Sequence, residues 1–250
     1  MYLKLAIVIP TYNEAANIRE LLPAIRSNLR DYPNLHTAVF VIDDASPDGT
    51  AKTAETLGQK LKDREFTVTV IRRQRKEGLG KAYVHAFKEI LQQKFDYILQ
   101  MDADLSHNPK YLPEFLDATK VADFVVGSRY MHGGGTPDWQ WYRKLLSYGG
   151  NLYVRLLLGS RITDYTSGYN LYSTDLLKKL GVTDLRSDGY EFLIELKSQA
   201  LTVCKAVQQV PIVFSDRQHG KSKIQPSNYI VKTLLLVPVI AIKGRRQLAK

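Results

Sequence analysis

FDYILQMDADLSHN, residues Phe95 to Asn108, runs from an apolar segment straight into an acidic turn. Tyr97, Ile98 and Leu99 read as a buried strand, which delivers Asp102 and Asp104 into the turn that follows. Residues i and i+2 on extended backbone point the same way, so the two carboxylates can converge on one cation. Like charges held at close range raise a pKa or destabilise the fold, and a divalent metal removes that cost. Hard oxygen ligands suit Mg²⁺ or Mn²⁺, ions that keep coordination positions open for substrate phosphate oxygens. Taken alone, the same residues also read as a solvated acidic turn, so the neighbouring segments must decide.

Upstream, apolar runs alternate with amphipathic ones. Leu3 to Ile9 reads as a strand ended by Pro10, and Asn17 to Asn28 as a helix with Ile18, Leu21, Leu22 and Ile25 on one face. Ala38 to Ile42 forms the next strand, delivering Asp43 and Asp44. Ser46-Pro47-Asp48-Gly49 is turn chemistry, followed by helical spacing through Leu61. Phe66 to Ile71 is a third strand. The basic loop Arg72 to Lys81 leads into a helix from Ala82 to about Gln92. Downstream, Pro109 to Thr119 reads as a helix and Phe124 to Gly127 as a strand. Strands alternating with helices, and too continuously apolar to be half solvated, predict an α/β fold with a mainly parallel sheet covered on both faces. Ligands in such sheets sit beyond the carboxyl ends of the strands. Pro10 to Glu14, Asp43 and Asp44, Arg72 to Lys81, and Asp102 to Asp104 all fall on that edge, which favours the metal reading of the acidic pair.

After Arg129 the rhythm changes. HGGGTPDW is a flexible loop, and Trp139 to Leu158 is a long amphipathic segment with Arg143, Lys144 and Arg155 among its aromatic and aliphatic residues. Gly149 and Gly150 in its middle predict close packing or a bend. Asp164 to Tyr169 reads as a turn, Asp188 to Leu196 as a helix carrying Glu191 and Glu195, and Val207 to Phe214 as a strand. Pro226 to Lys250 reads as a basic, apolar helix or helix pair interrupted near Pro238. The expected organisation is a catalytic domain over residues 1–225 and a helical extension over 226–250.

The 250 residues suffice for a substantial core. Cys204 is the only cysteine, which excludes an intramolecular disulfide and a cysteine-cluster metal site and fits a reducing compartment. LAIVIP near the amino terminus is too short for a signal peptide. Thr233 to Ile242 falls short of the ~20 apolar residues of a membrane-spanning helix, so the expectation is a chain that does not cross a bilayer by itself. The net charge of +10 attracts anions of several classes. From Arg217 to Lys250 there are eight Lys or Arg residues and no Asp or Glu, with apolar residues among them, a mixture that favours a membrane surface over nucleic acid.

Gly78-Leu79-Gly80-Lys81 lacks the spacing of both nicotinamide and triphosphatase loops, and TYNEAAN stands where a dinucleotide fold places its glycines. Asp44 can accept hydrogen bonds from a ribose or base, or serve as a helix cap. A nucleotide diphosphate with Mg²⁺ on Asp102 and Asp104 fits the carboxylate edge. Arg129, Arg143, Arg217 and Lys223 could then grip an anionic acceptor.

The combination IVIPTYNEAANI, VIDDASPDGT, GLGKAYVHAF, MDADLSHNPKYLPEFL, VVGSRY, WYRKLLSYGGN, DYTSGYNLY, DGYEFLIEL and DRQHGKSK, spanning about Leu5 to Lys223, resembles family 2 glycosyltransferases of the GT-A fold. It is most similar to the dolichol-phosphate mannose synthase group, also called polyprenol monophosphomannose synthases. The resemblance implies transfer of mannose from GDP-mannose to a polyprenyl or dolichyl phosphate, with inversion and with Mg²⁺ or Mn²⁺. Glucose transfer from UDP-glucose is the alternative. It implies nucleotide contacts from Pro10, Tyr12, Glu14, Asp44 and Lys81, and metal and diphosphate contacts from Asp102 and Asp104. Ser106 stands where the family often has a Gln ligand, with His107 beside it, so the third protein ligand stays open. Arg129, Arg143 and Ser147 correspond to acceptor-phosphate residues, and Asn151 to the small polar position after them. Arg217 and Lys223 match a late basic motif near both phosphates. Asp164 and Glu191 lie where the family has acidic residues near the sugar.

The implied setting is peripheral, on the cytoplasmic face of a membrane, with the anchor supplied by the chain's own surface, by a membrane-protein partner or by a longer chain. A nucleotidyltransferase would need a triphosphate-gripping glycine and basic loop, absent around Pro10 to Asn17. A nucleic-acid or membrane binding module would leave the carboxylate edge without a reason.

Overall fold

In the computed structural model, residues 2–182, 185, 189, 191–215 and 232–242 are described. Seven strands, β1 (Leu3–Thr11), β2 (Leu35–Asp43), β3 (Phe66–Arg72), β4 (Tyr97–Gln100), β5 (Phe124–Ser128), β6 (Asn170–Ser173) and β7 (Val207–Pro211), form one sheet in the order β3-β2-β1-β4-β6-β5-β7. β6 runs antiparallel to β4 and β5, and every other pairing is parallel. The mainly parallel expectation therefore holds, with one reversed strand that the periodicity did not reveal.

The core follows from the alternation of side chains along buried strands. Leu5 to Ile9 of β1 are wholly buried. Leu5, Ile7 and Ile9 join a cluster with α1 (Ala15–Leu29), α2 (Thr50–Leu61) and α4 (Leu112–Ala118) on one face. Ala6 and Val8 join another with α3 (Leu79–Ile90), α6 (Thr174–Leu180) and α7 (Glu191–Val203) on the other. Each fully buried aliphatic side chain contributes about 1.5–3 kcal/mol, so a strand apolar on both sides is stable only between two helical layers. Residues 109–111 form a single 3₁₀ turn ahead of α4 rather than its first turn.

β1 continues through Pro10 to Thr11, further than expected. Lys4 and Val8 present their carbonyls to the β4 side, accepting from Asp96 and Met101. Pro10, two residues on, faces the same side, where β4 has already ended at Gln100, so its missing N–H deprives no ladder partner. β7 ends at Pro211 rather than Phe214, and the helix expected to start over Asp188 to Leu196 runs as α7 to Val203.

α5 (Trp141–Leu158) is unlike the other helices. Only Asn151 and Val154 are buried along it, and Trp141 and Leu156 are 75% and 77% exposed. Gly149 and Gly150 do not interrupt it, and open space surrounds both, so neither marks the close packing or bend expected there. A last helix, residues 232–242, inserts Val237 and Ile240 into the cluster of α3 and α7. It continues across Pro238 instead of breaking there. Pro238 cannot donate to the Leu234 carbonyl, but the Tyr153 hydroxyl of α5 does so at 3.0 Å and satisfies the orphaned acceptor. The expected boundary at residues 225 and 226 lies outside the described residues, as do Arg217 and Lys223.

Candidate active site

A cleft of about 230 Å³ opens beyond the carboxyl ends of β1, β2 and β4, lined by Pro10, Thr11, Tyr12, Glu14, Asp44, Lys76, Gly78, Leu79, Ala82, Asp102, Ala103, Asp104 and Gly189. The structure thus brings together six of the residues expected at the nucleotide and metal: Pro10, Tyr12, Glu14, Asp44, Asp102 and Asp104. Lys81 is not among the lining residues; on the first turn of α3 it lies 3.8 Å from Glu77 and is half exposed.

The loops are tied to one another. The backbone N–H of Asn13 donates to Ser46 Oγ at 3.0 Å, that of Glu14 to Thr50 Oγ1 at 2.9 Å, and that of Ala15 to Asp48 Oδ2 at 3.0 Å. The turn after β2 therefore caps α1, which has no capping side chain of its own. Burial pushes the Asp48 carboxyl up, but the Thr50 hydroxyl and the backbone donors outweigh it and hold the group below the usual range.

Asp44 is paired with Arg73 at 2.6 Å, both side chains nearly inaccessible, and Arg73 also reaches Glu77 at 3.0 Å. Burial nevertheless pushes the Asp44 carboxyl above the usual range, against the opposing Arg73 guanidinium. Lys76 lies 4.5 Å from the centre of the Tyr12 ring. Gly78, at φ +108°, turns the chain into α3 in a backbone region that other residues rarely enter.

Asp104 is oriented by Ser106, whose backbone N–H and hydroxyl both approach Oδ1, at 3.2 and 2.5 Å. Ser106 is itself buried and does not line the cleft, so it stands behind the carboxylate. His107 Nδ1 accepts from the backbone N–H of Asp102 at 2.8 Å, which places its proton on Nε2, 3.9 Å from Asp102 Oδ2. Burial pulls this imidazole down to about 4, so it is neutral at pH 7. It stacks on Tyr169 with centroids 4.9 Å apart. A side chain at Gly168 would come within 3.1 Å of His107 and 3.5 Å of Asp102 Oδ1, which explains the glycine behind the acidic pair. Among the described residues no group of three His, Cys, Asp or Glu converges as a metal site. The residues present still fit a hard divalent cation: two carboxylates line one cleft, one already oriented, leaving most ligand positions to diphosphate oxygens and water.

On the other side of His107 lies an aromatic wall. Phe214 meets His107 edge-on at 5.8 Å and Trp139 at 5.5 Å. The guanidinium of Arg143 lies 4.0 Å above the Trp139 ring, and that of Arg129 lies 5.6 Å from it, so the two expected acceptor-side arginines flank one indole. Arg129, just beyond β5, donates through Nε and Nη2 to Asp164 at 2.7 and 2.9 Å and through Nη2 to Thr166 Oγ1 at 2.6 Å. Asp164 is fully buried, so it acts through Arg129 and not at the cleft. Burial pushes its carboxyl up, but Arg129 and then Lys197 outweigh this and hold it far below the usual range. Ser147 Oγ and Tyr130 Oη lie 2.6 Å apart. Asn151 commits both ends of its amide to backbone, donating to Thr163 and accepting from Tyr165, and so joins α5 to the 163–165 segment. Glu191 accepts from the backbone N–H of Gly189, which lines the cleft, at 3.2 Å and lies 3.7 Å from Lys232.

Sequence reasoning did not single out Arg73, Lys76, Phe214 or Lys197. A basic residue within a charged loop, or a lone lysine on a helix, carries no signal of burial; Phe214 follows a strand and reads as part of it.

Residues 6–181 match the model of the glycosyl transferase family 2. The chain is 40% identical to the undecaprenyl-phosphate mannosyltransferase of Micrococcus luteus over 217 residues, covering 87% of this chain and 86% of that one. It is also 40% identical over 246 residues to the polyprenol monophosphomannose synthase of Mycolicibacterium smegmatis, covering 98% and 89%. The fold is shared with glucosyl-3-phosphoglycerate synthase of Mycobacterium tuberculosis, solved with Mn²⁺ and UDP (TM-score 0.64, 21% identity, 94% of this chain and 79% of that one). Mannosyl-3-phosphoglycerate synthase of Rubrobacter xylanophilus shares it too (TM-score 0.61, 17% identity, 99% and 76%). With its sheet set between helical layers in the GT-A arrangement, the chain belongs to glycosyl transferase family 2.

Proposed function

We propose that this enzyme transfers mannose from GDP-mannose to a polyprenyl or dolichyl monophosphate, inverting the anomeric centre and releasing GDP. The observation that carries the reading is the continuity of two half-sites: a cleft holding Asp102 and Asp104, and Arg129 with Arg143, joined through His107, Phe214 and Trp139. The relatives named for polyprenol and undecaprenyl phosphate support the acceptor and the sugar.

The nucleotide occupies the cleft against Pro10, Tyr12, Glu14 and Asp44, with Arg73 holding Asp44 and Lys81 assigned to the nucleotide by the motif it matches. Asp102 and Asp104 would hold Mg²⁺ or Mn²⁺, which when bound neutralises charge on the leaving diphosphate. Ser106 keeps Asp104 oriented, and neutral His107 keeps Asp102 in place. Arg129 and Arg143 bind the acceptor phosphate, with Ser147 beside them and Asn151, Asp164 and Glu191 fixing the surrounding backbone. Arg217 and Lys223 are assigned to the phosphates by the motif they match.

A phosphate monoester has a second pKa near ~6 and is already a nucleophile at neutral pH. One of its oxygens attacks the anomeric carbon as the bond from that carbon to the diphosphate oxygen breaks and the electron pair leaves with GDP. No proton has to move. Catalysis then rests on alignment and charge stabilisation rather than on a general base.

No helix among the described residues is long and apolar enough to cross a membrane. The lipid acceptor is met at the surface: α5 exposes Trp141, Tyr142, Leu145, Leu146 and Leu156 beside Arg143, Lys144 and Arg155, a face suited to an anionic bilayer. We place the enzyme peripherally on the cytoplasmic face, with a membrane-protein partner as a further anchor. The test is transfer of labelled mannose to a short polyprenyl monophosphate, to the same polyprenol without phosphate, and to a free sugar. Label is expected on the monophosphate alone; label on either hydroxyl acceptor would refute the reading.

A further inference from the structure

Lys197, in the middle of α7, is completely buried, which the proposed chemistry leaves without a purpose. Removing an ammonium from water costs several kcal/mol even after relaxation, and a well-packed apolar residue is often as stable or more so. The Lys197 Nζ donates to two backbone carbonyls, Asp164 at 2.9 Å and Ser167 at 2.6 Å. It therefore clamps both ends of one tight turn. Inside that turn the Asp164 carboxylate accepts from the backbone N–H groups of Thr166 and Ser167, and its outward side receives Arg129.

We propose that Lys197 is a positioning residue for the acceptor side of the site: its ammonium locks the 164–167 turn in the geometry that presents Arg129, and shares the charge of Asp164 with the Arg129 guanidinium. The inference rests on the reading of Arg129 as a ligand of the acceptor phosphate. Lys197 meets the main chain of Asp164 and not its carboxylate, so its charge lies beside the Asp164–Arg129 pair, offsets part of the carboxylate's charge, and leaves Arg129 more attraction for an anion than an isolated pair would. Burial pulls Lys197 down to about 7, against the Asp164 carboxylate, which pulls it back up.

A post that only held the fold would change the melting temperature and leave substrate affinities alone. Lys197→Met removes the charge and keeps much of the volume; Lys197→Gln removes the charge but keeps N–H groups able to donate to a carbonyl. Lys197→Met is expected to raise the apparent KM for a short polyprenyl monophosphate by about tenfold, the scale of one charge-assisted hydrogen bond. The KM for GDP-mannose should stay within about twofold of wild type on that same scale. Lys197→Gln should fall between wild type and Lys197→Met, and it carries the test by itself where Lys197→Met does not fold. A folded variant with the wild-type acceptor KM, or one raising both KM values alike, overturns the proposal. A wild-type enzyme that does not use the monophosphate overturns the functional reading and this inference with it, so the two failures are distinguishable.

Discussion

Asp164→Asn isolates the ion pair that fixes the acceptor side. The carboxylate accepts from Arg129 through Nε, Nη2 and the backbone N–H, and from Thr166 and Ser167, with no exposed surface. Asn keeps the shape but replaces one oxygen with an amide that faces donors. Because Oδ1 serves Arg129, Thr166 and Ser167 while Oδ2 serves Arg129 twice, neither orientation of the amide avoids a donor–donor clash. Removing one partner of a buried pair costs about 3–5 kcal/mol, which in a chain of this size lowers Tm by roughly 10 °C. The sign of the pH dependence follows. The folded pKa is depressed, so this stabilisation is complete above the unfolded value and is lost as pH falls through the folded one. The gap between wild type and variant, read by thermal melts, should therefore be constant at neutral pH and close only below the ordinary carboxylate range. Acceptor KM should rise in the same variant. A melt within about 2 °C of wild type, under 1 kcal/mol on that scale, together with an unchanged acceptor KM, would mean that the ion pair does not fix the acceptor side.

Asp104→Ala should lower turnover by two to three orders of magnitude, on the order of a lost charge-stabilising group, and abolish the response to added Mg²⁺ or Mn²⁺ in a chain that still folds; rate assays across metal concentration check this. Arg143→Ala should raise KM for polyprenyl phosphate about tenfold and leave that for GDP-mannose nearly unchanged, as measured by initial rates. Ala45 is exposed and held at φ +56°, so Ala45→Gly should raise stability by about 1 kcal/mol in denaturant titration. Replacing Trp141, Leu145 and Leu156 with Ser should weaken co-sedimentation with anionic liposomes severalfold, and binding of the wild type should fall with salt.

Much of the site is legible because its signals are local. An apolar strand running directly into Asp102 and Asp104 announces a carboxyl-end ligand site, and the same pattern recurs at Asp43 and Asp44. β6 lacks that local signal: Asn170–Ser173 is four residues long, follows the turn that begins at Asp164, and pairs antiparallel between strands distant in sequence. Pro10 reads as a strand end because nothing in the sequence tells that β4 stops two residues short of it. Lys197, Arg73 and Asn151 are buried by partners contributed from elsewhere in the chain, and their polar character disguises this. The positive φ angles of Ala45 and Leu105, at +56° and +65°, lie in the loops after β2 and β4, and neither residue type signals such a backbone.

The proposed reaction passes mannose from a guanosine diphosphate donor to a lipid phosphate across the acidic edge of this sheet. A panel of GDP-mannose, UDP-glucose and UDP-GlcNAc, each offered with polyprenyl monophosphate and divalent cation, measures it directly. Phosphate-linked mannolipid is expected from GDP-mannose, with little product from the other two. Preferential use of UDP-glucose, or no lipid product from any donor, would contradict it.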